Sequence, residues 1–149
     1  MLGINNILVV CVGNICRSPV AEFLLQRDLV DIRVHSAGLG ALVGHDVEPM
    51  ARSVAEADGL KCPQHNARQL TASHCREADL ILVMERRHRD DVASLCPEAR
   101  GKIFLFGQGL PNPDIPDPYR KSGDMFEAVY MLLTLASQNW VRRLQPALT

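Results

Sequence analysis

A chain of 149 residues, 47% hydrophobic and 22% charged, has the size and composition of one domain, residues 1–149, that buries a core without crosslinks. Sixteen basic and 17 acidic residues leave a net charge of -1, so no global field attracts nucleic acid, and no apolar run approaches the roughly 20 residues of a membrane span. Five irregularly spaced cysteines argue against a disulfide framework; with no basic residue in Met1–Asn6 and an apolar Ile7–Val12 run too short for an export signal, the cytoplasm is the expected location.

In chain order, the β-branched run Ile7–Cys11 predicts a strand buried on both faces. Pro19 suits the first turn of a helix whose Val20, Phe23, Leu24 and Leu29 share one face. A second strand is expected over Ile32–Ser36, and a helix from Pro49 that stops at Asp58-Gly59. A short helix follows near Thr71, then a strand over Leu80–Met84. The mixed-sign cluster Glu85–Asp91 reads as the solvated face of a helix that opens near Arg86 and closes before Pro97. Lys102–Phe106 predicts the fourth strand, and the glycines and prolines of Gly107–Pro118 a loop. Met125, Val129, Leu132, Leu133, Ala136, Trp140 and Leu144 trace the apolar stripe of a final helix. Strands alternating with helices imply an α/β fold: a small four-stranded parallel sheet, Rossmann-like, with helices on both faces and its ligand site at the carboxyl ends of the strands.

The segment Cys11-Val12-Gly13-Asn14-Ile15-Cys16-Arg17-Ser18-Pro19 falls between the first strand and the first helix. A loop entering a helix offers unpaired backbone N–H groups and the positive end of the helix dipole to an anion. Gly13 frees the backbone to curl, so that the amides of Val12 through Arg17 encircle one phosphate. Cys11 then lies on the floor of the ring, where the same dipoles favour the nucleophilic thiolate. Arg17, at a Cys-x5-Arg spacing, brings a planar fork to two phosphate oxygens, and the Ser18 hydroxyl reaches the Cys11 sulfur. Hydrolysis of an aryl phosphate also needs a proton donor. The proline-stiffened stretch Asn112–Tyr119 holds two candidates, Asp114 and Asp117, between which sequence chemistry does not choose. Tyr119 is a candidate for stacking on a substrate ring, or a packed tyrosine. Histidines and cysteines lack metal-ligand spacing, so neither a metal nor a cofactor is implied.

These motifs resemble the low-molecular-weight protein tyrosine phosphatases (the phosphotyrosine phosphatase I type). The likeness rests on Cys11–Ser18 as signature loop, Ser36-Ala-Gly38 after the second strand, His65-Asn-Ala-Arg-Gln69 and Asp117-Pro-Tyr119, and spans nearly the whole chain. The resemblance implies hydrolysis of phosphotyrosine through a phosphocysteine, with Cys11, Arg17 and Asp117 catalytic and Asn14, Ser18, Ser36 and His65 supporting the phosphate loop. It also implies a reversible Cys11–Cys16 disulfide, for which loop packing of Cys16 is the alternative; Cys62, Cys75 and Cys96 read as core or surface residues. Leu42 and Arg120 stand where some members carry aromatics, and the apolar wall Leu39–Gly44 is similar to that of bacterial members acting on tyrosine autokinases of capsule and exopolysaccharide production. An arsenate reductase on the same loop would need a close downstream cysteine pair, and Cys75 and Cys96 are 21 positions apart. A phosphate-binding module with Cys11 as redox sensor would not need Asp117.

Overall fold

The computed structural model describes residues 3–145; residues 1–2 and 146–149, which belong to the expected domain span, lie outside the described residues. Four parallel strands, β1 (Asn6–Cys11), β2 (Arg33–Gly38), β3 (Leu80–Val83) and β4 (Ile103–Leu105), form a sheet of order β2-β1-β3-β4. Ile7 lies opposite Val34 on one side and Leu80 on the other, and Ile81 opposite Ile103. Helices α1 (Arg17–Asp28), α2 (Pro49–Ala57), α3 (Ala72–Glu77), α4 (Arg86–Leu95) and α5 (Gly123–Leu144) connect and cover the strands.

Side-chain alternation divides the core. Ile7, Val9, Cys11, Leu80, Leu82 and Met84 pack with Phe23, Leu24, Val129 and Trp140 from α1 and α5. Leu8, Val10, Ile81, Val83, Ile103 and Leu105 pack with Cys75, Val92 and Ala93 from α3 and α4. Ile7 through Val10 are wholly buried, which explains the unbroken apolar run; each such side chain contributes about 1.5–3 kcal/mol relative to exposure.

The last helix buries Phe126, Val129, Leu133, Ala136, Trp140 and Leu144, and Met125 and Leu132 pack half-buried against the same core. Two sequence expectations shift. Lys102 ends a 3-10 helix, Pro97–Lys102, instead of starting β4, and its ammonium hydrogen-bonds the carbonyls of Arg76 and Ala78. The cluster from Glu85 to Asp91 is not uniformly solvated, because Glu85 and His88 turn inward.

From β1 the chain crosses to β2 on one side and then to β3 on the other, so strand order reverses at β1. The crevice at the carboxyl ends of β1 and β3 is therefore where such a sheet opens to a ligand.

Candidate active site

Residues 11–16 leave β1 at this crevice and close on the start of α1, whose Cys16 N-cap makes no side-chain hydrogen bond to the helix amides. The loop carbonyls all point outward. Cys11 O accepts from Leu39 N at 2.9 Å, Val12 O from Gly40 N at 2.9 Å, Gly13 O from Leu42 N at 3.1 Å and Ile15 O from Glu48 N at 2.9 Å. Asn14 O pairs with His65 Nε2 at 2.7 Å. With the carbonyls of Cys11 through Ile15 tied to surrounding chain, the opposite sides of these peptide groups turn to the ring, and the N–H groups of Gly13, Asn14, Ile15 and Cys16 meet no acceptor among the described residues. An inward ring of amides at a helix N-terminus is an oxyanion receptor.

The strained point of the ring is Asn14, with φ of 59°, a left-handed conformation that needs outside support. Its side chain supplies that support. Asn14 Nδ2 donates to Ser18 Oγ at 2.7 Å and to Ser36 Oγ at 3.0 Å, and Asn14 Oδ1 accepts from Arg68 N at 3.0 Å. Ser36 in turn donates to Glu22 Oε1 at 2.5 Å; burial raises the Glu22 carboxyl above its usual range against the pull of that hydrogen bond. Because Ser18 already accepts from Asn14, its own proton is free for Cys11 Sγ, 2.9 Å away. Gly38 completes the support, since a Cβ there would stand 2.4 Å from Val12 O.

Arg17 is 1% exposed, so its guanidinium is set in place, not swung in from solvent. Nη1 donates to Glu85 Oε2 at 2.6 Å and to Ile115 O at 2.8 Å, while Nη2 lies 3.6 Å from Asp117 Oδ2. Burial acts against ionised Glu85, but the Arg17 hydrogen bond and charge hold its carboxyl below the usual range. Ile115 is fixed by its own N–H on Met84 O at 2.9 Å, and Gly107 lets the loop fold back, because a Cβ there would meet Pro113 O at 2.4 Å.

A cleft of about 150 Å³ is lined by Cys11–Gly13, Ile15–Arg17, Gly40, Leu42, Asp117 and Tyr119. Most of the residues singled out in the sequence therefore converge, and Asn14, Ser18, Ser36 and His65 lie behind the ring as its scaffold. The two aspartates separate. Asp117 faces the cleft with its carboxylate 42% exposed, whereas Asp114 accepts from Arg86 N at 2.8 Å and belongs to the start of α4. That backbone hydrogen bond holds the Asp114 carboxyl low. Tyr119 is partly exposed at the cleft mouth, not packed in the core, with the Arg120 guanidinium 5.3 Å from its ring centre.

All five cysteines are free and buried. Burial first, and then neighbouring Cys11, push the Cys16 thiol far above its ordinary range. Cys75 and Cys96 belong to the core on the sheet face opposite the one that holds Cys11, which leaves them no route to a sulfur relay. Among the described residues no three His, Cys, Asp or Glu side chains gather in a way that could hold a metal ion. Sequence reasoning passed over Glu22, placed Glu85 on a solvated face and gave Arg68 no role within the His65–Gln69 motif. The signal for Glu85 was its place directly after the third strand, where parallel sheets set their functional groups.

The sequence profile described as "Low molecular weight phosphotyrosine protein phosphatase" matches residues 6–148. The chain is 55% identical over 140 residues to the low molecular weight protein-tyrosine-phosphatase Wzb of Salmonella typhimurium, covering 94% of each. It is 51% identical to the probable low molecular weight protein-tyrosine-phosphatase AmsI of Erwinia amylovora, covering 95% of this chain and 98% of that one. The crystal structure of the tyrosine phosphatase Wzb from Escherichia coli in complex with sulphate superimposes with a TM-score of 0.93 at 47% identity, over 95% of this chain and 99% of the other.

Proposed function

This chain belongs to the low molecular weight phosphotyrosine protein phosphatase family, and from that premise we propose how its residues divide the hydrolysis of phosphotyrosine. It is a protein-tyrosine-phosphatase, a phosphoric monoester hydrolase. The phosphoryl group sits in the amide ring, and the Cys11 thiolate attacks phosphorus from below. Arg17 binds two equatorial oxygens as charge spreads over them. As the bond from phosphorus to the phenolic oxygen breaks, the Asp117 carboxyl gives that oxygen its proton, so tyrosine leaves neutral. Asp117, now a carboxylate, takes a proton from water attacking the phosphocysteine; inorganic phosphate departs, and the returning thiolate is stabilised by the Ser18 hydroxyl. Tyr119 and Leu42 flank the substrate ring.

The observation that carries this division is the convergence of Cys11 Sγ, the inward amides, Arg17 and Asp117 on one cleft. Its test is hydrolysis of p-nitrophenyl phosphate. Cys11→Ser and Arg17→Ala are expected to abolish turnover while the fold remains intact by circular dichroism, and persisting turnover in Cys11→Ser excludes a phosphocysteine. Arsenate reduction is disfavoured because the buried Cys75 and Cys96 lie across the sheet from Cys11.

Resemblance to bacterial members with an apolar cleft wall, together with 51–55% identity to the AmsI and Wzb phosphatases, supports a tyrosine autokinase of capsule and exopolysaccharide production as the physiological substrate. A cytoplasmic location follows from that role. Among the described residues no helix is long and apolar enough to cross a membrane. Incubation with a tyrosine-phosphorylated autokinase domain tests the assignment: loss of phosphotyrosine is expected from the native enzyme and not from Cys11→Ser.

A further inference from the structure

A phosphotyrosine side chain fills the 150 Å³ cleft, and the polypeptide that carries it has to lie on the surface beside the mouth. One such surface is built. A groove of about 590 Å³ opens on the α4 side of the phosphate loop, and its inner wall is Val12 and Gly40, which also line the cleft. The two depressions share these residues and so lie side by side on the surface. The groove bears apolar contacts from Leu39, Leu70 and Leu95, the last 44% exposed at the end of α4. Arg87 stands on the rim, 72% exposed, its Nε on Glu85 Oε1 at 3.1 Å and its other N–H groups without a partner among the described residues, while Asp91 also lines the groove. His88 lies on the floor, and neither ring nitrogen has a hydrogen-bond partner among the described residues.

We propose that this groove receives the segment of the substrate polypeptide adjoining the phosphotyrosine, taking an apolar side chain over Leu39 and Leu95 and an acidic one at Arg87. The inference rests on the tyrosine phosphatase reading and deepens it by adding a peptide subsite. An exposed leucine, a cation with free N–H groups and a shared wall with the catalytic cleft fit an extended chain better than a second small molecule, which would have no reason to adjoin the phosphate ring. Leu39, Leu70, Arg87, Ser94 and Leu95 line the groove and not the cleft, so they discriminate among phosphopeptides while leaving the chemistry on a bare aryl phosphate unaltered.

The test compares p-nitrophenyl phosphate with a phosphotyrosyl peptide carrying leucine and glutamate beside the phosphotyrosine, in native enzyme and in Ser94→Trp, which fills the groove, and Leu95→Lys, which removes its apolar rim. Expected is a fall of about fivefold or more in kcat/KM for the peptide, carried by KM, with p-nitrophenyl phosphate within about twofold of native. Since the aryl phosphate rate is read in the same sample, it also reports folding. Peptide and aryl phosphate both unchanged, or both reduced alike, overturns the proposal. Failure of the native enzyme to hydrolyse either compound would instead defeat the phosphatase reading, so the two failures are separable.

Discussion

At Cys11 the chemistry depends on one proton. Asn14 Nδ2 donates to Ser18 Oγ, which leaves the Ser18 hydroxyl proton to point at the sulfur 2.9 Å away. That bond stabilises the thiolate both before attack and as leaving group, so Ser18→Ala is expected to slow breakdown of the phosphocysteine more than its formation. Rapid-quench kinetics would then show a larger burst of phenol, relative to the steady rate, than in the native enzyme. In the proposed mechanism Asp117 acts on the other side of phosphorus. Asp117→Asn is expected to lower kcat by about 10² for phosphotyrosine and far less for esters of acidic phenols, which need no proton to leave. Equal slowing of both esters would remove it from the acid role. Glu85 never meets substrate, yet it holds Arg17 at 2.6 Å. Glu85→Gln keeps the hydrogen bond but removes the charge, and is expected to cost about tenfold in kcat/KM with weakened inhibition by inorganic phosphate.

Among the elements, the phosphate loop is held by its neighbours more than by itself. The segment 65–69 contributes His65 to Asn14 O and Arg68 N to Asn14 Oδ1, and Gly38 pairs with Gln69 beyond the end of β2. Arg68 is anchored through Nε on Ser36 O at 2.8 Å and through its guanidinium on His35 Nδ1, while His35 Nε2 faces Asn6 Oδ1 at 2.6 Å. An imidazole that accepts from a guanidinium carries its single proton on Nε2 and has no room for a second. Burial, then the Arg68 charge, depress the His35 pKa from 6.5 to about 4. A depressed base stabilises the fold fully above 6.5, and that stabilisation is lost as pH falls toward 4. Melting temperature is therefore expected to decline over this window, and less steeply in His35→Gln; an identical slope in both proteins would acquit His35. Gly38→Ala is expected to displace the loop through Val12 O and to weaken phosphate inhibition, because backbone at 2.4 Å cannot yield as a flexible side chain can. Resemblance names Asn14, Ser18, Ser36 and His65 for this network, and the structure joins them by hydrogen bonds, but their charged partners were not legible. The Cys-x5-Arg loop announces itself by spacing, whereas Arg68, Glu22 and Glu85 acquire their roles only when distant segments meet, and a charged letter in a mixed cluster gives no sign of facing inward.

For the whole molecule, the sheet order decides where the chemistry sits, and alternation along β1 decides which core each side chain joins. The parallel sheet with helices on both faces was legible in short β-branched runs and helical stripes, since a strand buried on two faces leaves a distinct pattern; the order β2-β1-β3-β4 was not, because it depends on which distant segments pair. The stripe of the last helix holds, since Met125 and Leu132 pack half-buried against the core that Val129, Leu133 and Trp140 join; only packing shows that Phe126 is buried more deeply than either. Choice between Asp114 and Asp117 was likewise a matter of tertiary placement, as both lie in one proline-rich loop and only the docking of Ile115 on Met84 turns Asp117 to the cleft. Trp140, wholly buried with Nε1 on Phe106 O at 2.9 Å, locks α5 over the sheet far from the cleft. Trp140→Phe is expected to lower unfolding free energy by about 1–3 kcal/mol in urea titration while leaving kcat within about twofold. The most direct measurement is mass spectrometry of enzyme quenched in acid during turnover of a phosphotyrosyl peptide. One phosphoryl group on the peptide containing Cys11, more abundant in Ser18→Ala and absent in Cys11→Ser, is the expected result; steady turnover with no phosphoryl group ever found on Cys11 would contradict it.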